Sequence, residues 1–253
     1  MISREVILKA FDNTIKSHQH LRLNGKCLPV FDAFHDKHCG KKPRKSEISV
    51  WVDSEGNDVF TKKGTKNRVG FTEREIRENY ETYGEMNVTH NHPRDNLRPP
   101  IECLSDGDVA FILDSHSHFD GDTGVNTTFY PFKSISCESS NGSRMTLVRG
   151  DKFANNTREQ NSKVREARKE LQNYFQSYYD NYYETMSKVR QDYNMDDFPN
   201  YVEYRNTIIA KTFEQTGYFE KSPKFKEIQQ KFREGNCKLT MTQPRDFQVG
   251  LWE

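Results

Sequence analysis

The sequence predicts an α/β fold, a mixed β-sheet flanked by helices, with a helical, tyrosine-rich C-terminal extension. Three features lead there. Short alternating segments near 46–60, 86–92, 129–137 and 143–149 read as strands. Charged, helix-forming runs at 72–85 and 105–113 lie between them. After Gly150 the composition changes, and residues 151–253 hold nine of the twelve tyrosines.

Each element has a local cause. Residues 2–20 carry Val6, Ala10, Phe11 and Ile15 on one side of a short helix, and 25–43 form a basic, turn-rich loop. Ile48, Val50 and Val52 alternate with Glu47, Ser49 and Trp51, and Glu55-Gly56-Asn57 breaks the run before Val59-Phe60, which predicts a hairpin. Thr72 followed by acidic residues starts a helix. Met86 to His92 is a strand, ended by Pro93 and a loop containing Pro99-Pro100. Ser105-Asp106-Gly107-Asp108 opens the apolar helical stretch Val109–Leu113, and a polar turn over 114–122 follows. Ser139-Ser140-Asn141-Gly142 joins two later strands. Thr157 to Asp192 reads as one long helix, with Leu171, Tyr174, Phe175, Tyr178, Tyr182, Met186 and Val189 forming a seam for the core or for a partner protein. The organisation is 1–44, an N-terminal helix and loop; 45–150, the central domain; and 151–253, the helical extension.

Composition narrows the function classes. Of 253 residues, 33% are hydrophobic and 30% charged, and the mean hydropathy is −0.97, which suits one modest core. No run approaches the ~20 apolar residues of a membrane span. The start MISREVILKAFDN lacks a signal-peptide pattern, and five scattered cysteines suit reduced thiols, so a cytoplasmic location is expected. Lys and Arg number 38 against 37 Asp and Glu, which argues against nucleic acid as a partner.

The eight histidines fall in four close pairs, and one pair has the context of a metal site. His90 and His92 stand two apart on a strand and so share a side. Asp108 at the following helix start would complete three zinc ligands and leave the fourth position to water. Glu47, opposite in direction to Ile48 and Val50, is expected to clear the core, face a cleft and shuttle the proton; Glu55, Glu78, Glu81 and Glu85 are alternatives. Ser105 and Asp108 also fit a plain helix cap. His116 and His118, within Asp114 to Asp122, form a second ligand-rich stretch that reads either as another metal site or as a polar turn. Cys27, His35, His38 and Cys39 read as a solvated loop, His18 and His20 as surface, and Cys103 as a buried thiol.

The order Glu, His-x-His-Pro, Ser-x-x-Asp resembles the JAB/MPN (JAMM) zinc metalloprotease family. It is most similar to the prokaryotic and phage branch, which includes RadC-like proteins and the domain of phage head-morphogenesis proteins. The similarity runs through Glu47-Ile-Ser-Val-Trp-Val-Asp-Ser-Glu-Gly-Asn57, Lys63-Gly-Thr-Lys-Asn-Arg-Val-Gly-Phe71, Thr89-His-Asn-His-Pro93 and Ser143-Arg-Met-Thr-Leu147, within about 45–150. The loop between His92 and Ser105 is longer than in the family, an insertion that costs little closure entropy. The resemblance implies that His90, His92 and Asp108 bind Zn2+, that Glu47 activates water and passes its proton to the leaving amine, and that Ser105 hydrogen-bonds the oxyanion. The implied reaction is hydrolysis of a peptide or isopeptide bond in a protein or peptide substrate. Two other readings are a non-catalytic assembly module of the same fold and a RadC-like role near DNA.

Overall fold

A computed structural model describes residues 46–65, 68–91, 103–120, 125–138 and 143–242. The expected N-terminal helix and basic loop, His92, the proline-containing loop and the turn at 139–142 lie outside the described residues.

Strands β1 (Ile48–Val52) and β2 (Asp58–Lys63) form the expected antiparallel hairpin. Its turn is held by Asp53 Oδ1, which accepts from the Glu55 and Asn57 N–H groups at 2.9 Å. Helix α1 (Glu73–Tyr83) starts with a capping box between Thr72 and Glu75. Strand β3 (Met86–Asn91) follows, then helix α2 (Asp106–Leu113). Strands β6 (Phe132–Glu138) and β7 (Arg144–Arg149) are the two later strands.

The main sheet has the order β2-β1-β3-β6-β7-β8, with β3 and β6 parallel and the other neighbours antiparallel. Its last strand, β8 (Cys237–Thr242), comes from the C-terminal region, so that region is not wholly helical. Cys237 and Leu239 are buried while Lys238 and Thr240 alternate with them, a period-two pattern inside otherwise helical sequence. The segment expected as a polar turn is also extended. Strand β4 (His116–Asp120) pairs with β5 (Val125–Phe129) in a separate two-stranded ribbon. Residues of turn-like composition had concealed a strand whose partner is local.

Helix α3 (Arg158–Gln191) is the expected long helix of 34 residues, and α4 (Tyr201–Thr216) and α5 (Pro223–Glu234) pack on it. Its aromatic seam is filled by this chain itself: Tyr174 stacks on Phe219 at 4.6 Å, and Tyr182 meets Phe213 at 5.2 Å. Among the described residues no helix is long and apolar enough to cross a membrane.

The main core lies on one face of the sheet. Trp51 is 0% exposed and packs against Phe60, Phe71 and Phe132 at 4.5, 4.7 and 5.0 Å. Val88, Ile135, Leu147 and Leu239 continue that core under the helices. Ile48, Val50 and Val52 form a smaller cluster of their own. This corrects the expected orientation of β1: Glu47 and Ser49 share the side of Trp51 and so lie on the main core face. Every residue of β1 is buried, so alternation alone could not tell which face was the principal one.

Candidate functional site

The core face of the sheet ends in a cavity. In the β1–β3 ladder Trp51 stands opposite Val88 and Ser49 opposite His90. The same side of the sheet therefore changes from apolar to polar toward the start of β1 and the end of β3. There a cavity of about 650 Å3 is lined by Glu47, Ser49, His90, Ser105 and Asp108, with His116, Phe71, Ile76 and Phe111 among its other walls. Four of the five site residues read from the sequence thus line one cavity; the fifth, His92, lies outside the described residues.

Each is held by its own local structure. His90 is 3% exposed on β3, which is paired on both sides by β1 and β6. Glu47 is 7% exposed, and its backbone is tied on both sides to the loop after β2, donating to Thr65 O and accepting from Gly64 N at 2.8 Å. Asn91, on the strand between the two histidines, reaches back to this segment. Its Oδ1 accepts from Ile48 N–H at 2.7 Å, and its Nδ2 lies 3.4 Å from Ser46 O, so both neighbours of Glu47 are tethered.

Asp108 is oriented by the first turn of α2. Its Oδ2 accepts from the Ser105 N–H and the Ser105 hydroxyl, both at 2.7 Å, and its own N–H donates to Ser105 Oγ at 3.1 Å. The helix-cap reading of this pair is therefore realised. It leaves the other oxygen, Oδ1, toward His90 Nε2 at 3.3 Å. The Ser105 hydroxyl proton is directed at Asp108, so donation to an oxyanion would require that hydroxyl to turn away. Helix α3 secures the same turn: Arg168 forks onto the Asp106 carboxylate, and Gln172 Nε2 donates to Leu104 O at 3.0 Å. Those guanidinium hydrogen bonds hold the Asp106 carboxyl below its ordinary pKa.

The 3.3 Å separation of His90 Nε2 and Asp108 Oδ1 is informative. It exceeds the roughly 2.7–2.9 Å of a charge-assisted hydrogen bond. Two ligands of one tetrahedral zinc, each ~2.0–2.1 Å from the metal, stand about 3.3–3.4 Å apart. The donor chemistry and the spacing both fit zinc. Among the described residues no three His, Cys, Asp or Glu side chains form a complete metal group.

Glu73 escaped the sequence reading, and His116 entered it only as part of a stretch that reads as another metal site or a polar turn. His116, in the stretch expected to be a turn, lines the cavity, and its Nδ1 lies 2.9 Å from Glu73 Oε2. The His116-x-His118 spacing was the only signal available for it. The alternative glutamates lie elsewhere: Glu78 pairs with Arg74, Glu81 with Arg77 and Glu85 with Arg149. Cys103 is buried as expected, its Sγ 3.4 Å from Leu104 O.

No family model, curated protein or solved structure matches this chain. The chemistry of the cavity is therefore the guide to function.

Proposed function

We propose that the chain is a zinc-dependent metalloprotease or isopeptidase with a JAMM-like central domain. The observation that carries this reading is the tetrahedral-edge spacing of His90 and Asp108 on a cavity wall that also bears Glu47. His90 and Asp108 would hold the metal, with His92 as third ligand by its spacing in the sequence. When bound, zinc supplies a Lewis acid that makes water nucleophilic near neutral pH. Glu47 takes the proton of the attacking water and delivers it to the leaving amine, a role that needs a carboxylate held in one place. The tethers from Asn91, Thr65 and Gly64 fix the backbone from which that carboxylate projects. The cavity is within the ~300–1,000 Å3 usual for ligand sites, and the burial of Glu47 and His90 strengthens the charge interactions of those two groups.

The test uses the untagged full chain. Elemental analysis should find zinc that is lost in a His90→Ala/His92→Ala variant. Glu47→Gln should keep the zinc while abolishing cleavage, read as new N-termini in a lysate incubated with the protein. A wild-type chain without zinc refutes the metal reading. Zinc without any cleavage leaves the assembly module, and undiminished cleavage by Glu47→Gln moves the base to another residue.

A further inference from the structure

We propose that His116, oriented by Glu73, and Ser49 bind the backbone of a peptide substrate in the cavity. The His116 ring is fixed at one nitrogen only. Its Nδ1 lies 2.9 Å from the Glu73 carboxylate, which can only accept, so the proton sits on Nδ1 and the lone pair of the neutral ring on Nε2. Nε2 is buried and has no hydrogen-bond partner among the described residues. Ser49, fully buried on β1 opposite His90, has its hydroxyl in the same condition. Both side chains line the cavity.

Buried polar atoms are almost always satisfied, so two unsatisfied ones on one cavity mark what its ligand supplies. Nε2 requires a donor, and the Ser49 hydroxyl donates to an acceptor. A peptide backbone carries both, an N–H and a C=O at each residue other than proline.

Charge decides between an amide and an ammonium as the donor. The described walls hold three carboxylates, Glu47, Glu73 and Asp108, which Arg68 and the dipositive ion of the hydrolytic reading balance. A neutral amide N–H therefore fits His116, whereas a lysine ammonium would add an uncompensated charge. Phe71, Ile76 and Phe111 offer the neighbouring side chain an apolar surface. The occupant is thus a backbone amide next to a large apolar residue. The choice of a peptide rests on the hydrolytic reading, while His116 and Ser49 are neither its metal ligands nor its base.

Calorimetric titration of the full chain with two probes tests the subsite. One is N-acetyl-phenylalanine methylamide; the other has both amide nitrogens methylated and offers no N–H. The wild type should bind the first about 5–150-fold more tightly, because the second leaves a buried acceptor unpaired. His116→Ala should lose that discrimination, and Ser49→Ala should weaken both probes alike. If the alanine variant of His116 does not fold, the Nε2 resonance of His116 in the wild type decides, moving with the first probe and not with the second. Equal binding of the two probes, discrimination that persists in His116→Ala, or a chain that binds neither probe overturns the proposal, and unchanged binding by Ser49→Ala removes Ser49 from it. Zinc content of the same preparation separates the two readings. A chain that discriminates the probes yet holds no zinc upholds the subsite and refutes the metal centre. A zinc-bearing chain that does not discriminate overturns the subsite and leaves the metal centre standing.

Discussion

Replacing Asn91 by alanine should uncouple Glu47 from the histidine strand. The Ile48 N–H donates to Asn91 Oδ1 at 2.7 Å in buried surroundings. Removing that acceptor leaves a buried N–H unpaired, a cost of about 1–3 kcal/mol. The 3.4 Å approach of Nδ2 to Ser46 O is too long to add much. For a urea m-value of about 2–3 kcal/mol per molar, the unfolding midpoint falls by roughly 0.3–1.5 M. Far-ultraviolet circular dichroism follows it. The functional effect should be unequal. β3 keeps its pairing with β6, so zinc binding by His90 should survive. Glu47 loses the anchor of the next residue, and a shift of about 1 Å in a catalytic group can cost ~10²-fold in rate. A midpoint within about 0.2 M of wild type, where about 0.3 M or more is expected, together with unchanged cleavage, refutes the tether.

Other perturbations probe the parts that place Asp108 and close the cavity. Arg168→Ala removes the fork on Asp106, whose pKa that fork lowers. Stabilisation from a lowered carboxyl is complete above its unfolded value of about 3.9 and disappears as pH falls through the lower folded value. The half-exposed pair should therefore separate the two proteins by at most about 1 kcal/mol at pH 7, and the gap should shrink as pH falls below the unfolded carboxyl value toward the lowered folded one; a gap in urea midpoints that does not shrink in acid would place its source elsewhere. Gly64→Ala drives a Cβ into the backbone oxygen of Arg68, forcing a backbone shift in the loop that walls the cavity. The expected cost is about 1–3 kcal/mol, read by thermal unfolding, and an unchanged Tm would show that the loop yields freely.

Elements whose signals are local were legible in the sequence. The hairpin turn around Asp53, the caps at Thr72 and Ser105 and the apolar period of α3 all act within a few residues, and the structure realises each. The placing of His90 and Asp108 on one cavity was legible to the same extent, because one sits on a strand and the other at a capped helix start, both recognisable from short stretches. What failed depended on distant partners. β8 is a strand because β7 offers it an edge, although helices precede it in the chain. β4 is extended because β5 pairs with it, although its residues favour turns. The side of β1 that meets the main core follows from where the helices pack, since Trp51 and Val50 are both buried. The Glu73–His116 contact joins residues 43 positions apart, and no local pattern encodes it.

Zinc-edge anomalous diffraction from crystals of the zinc-loaded full chain tests the central claim most directly. The account predicts a peak about 2.0–2.2 Å from both His90 Nε2 and an Asp108 carboxylate oxygen. A zinc-loaded crystal with no peak between those two atoms would contradict it.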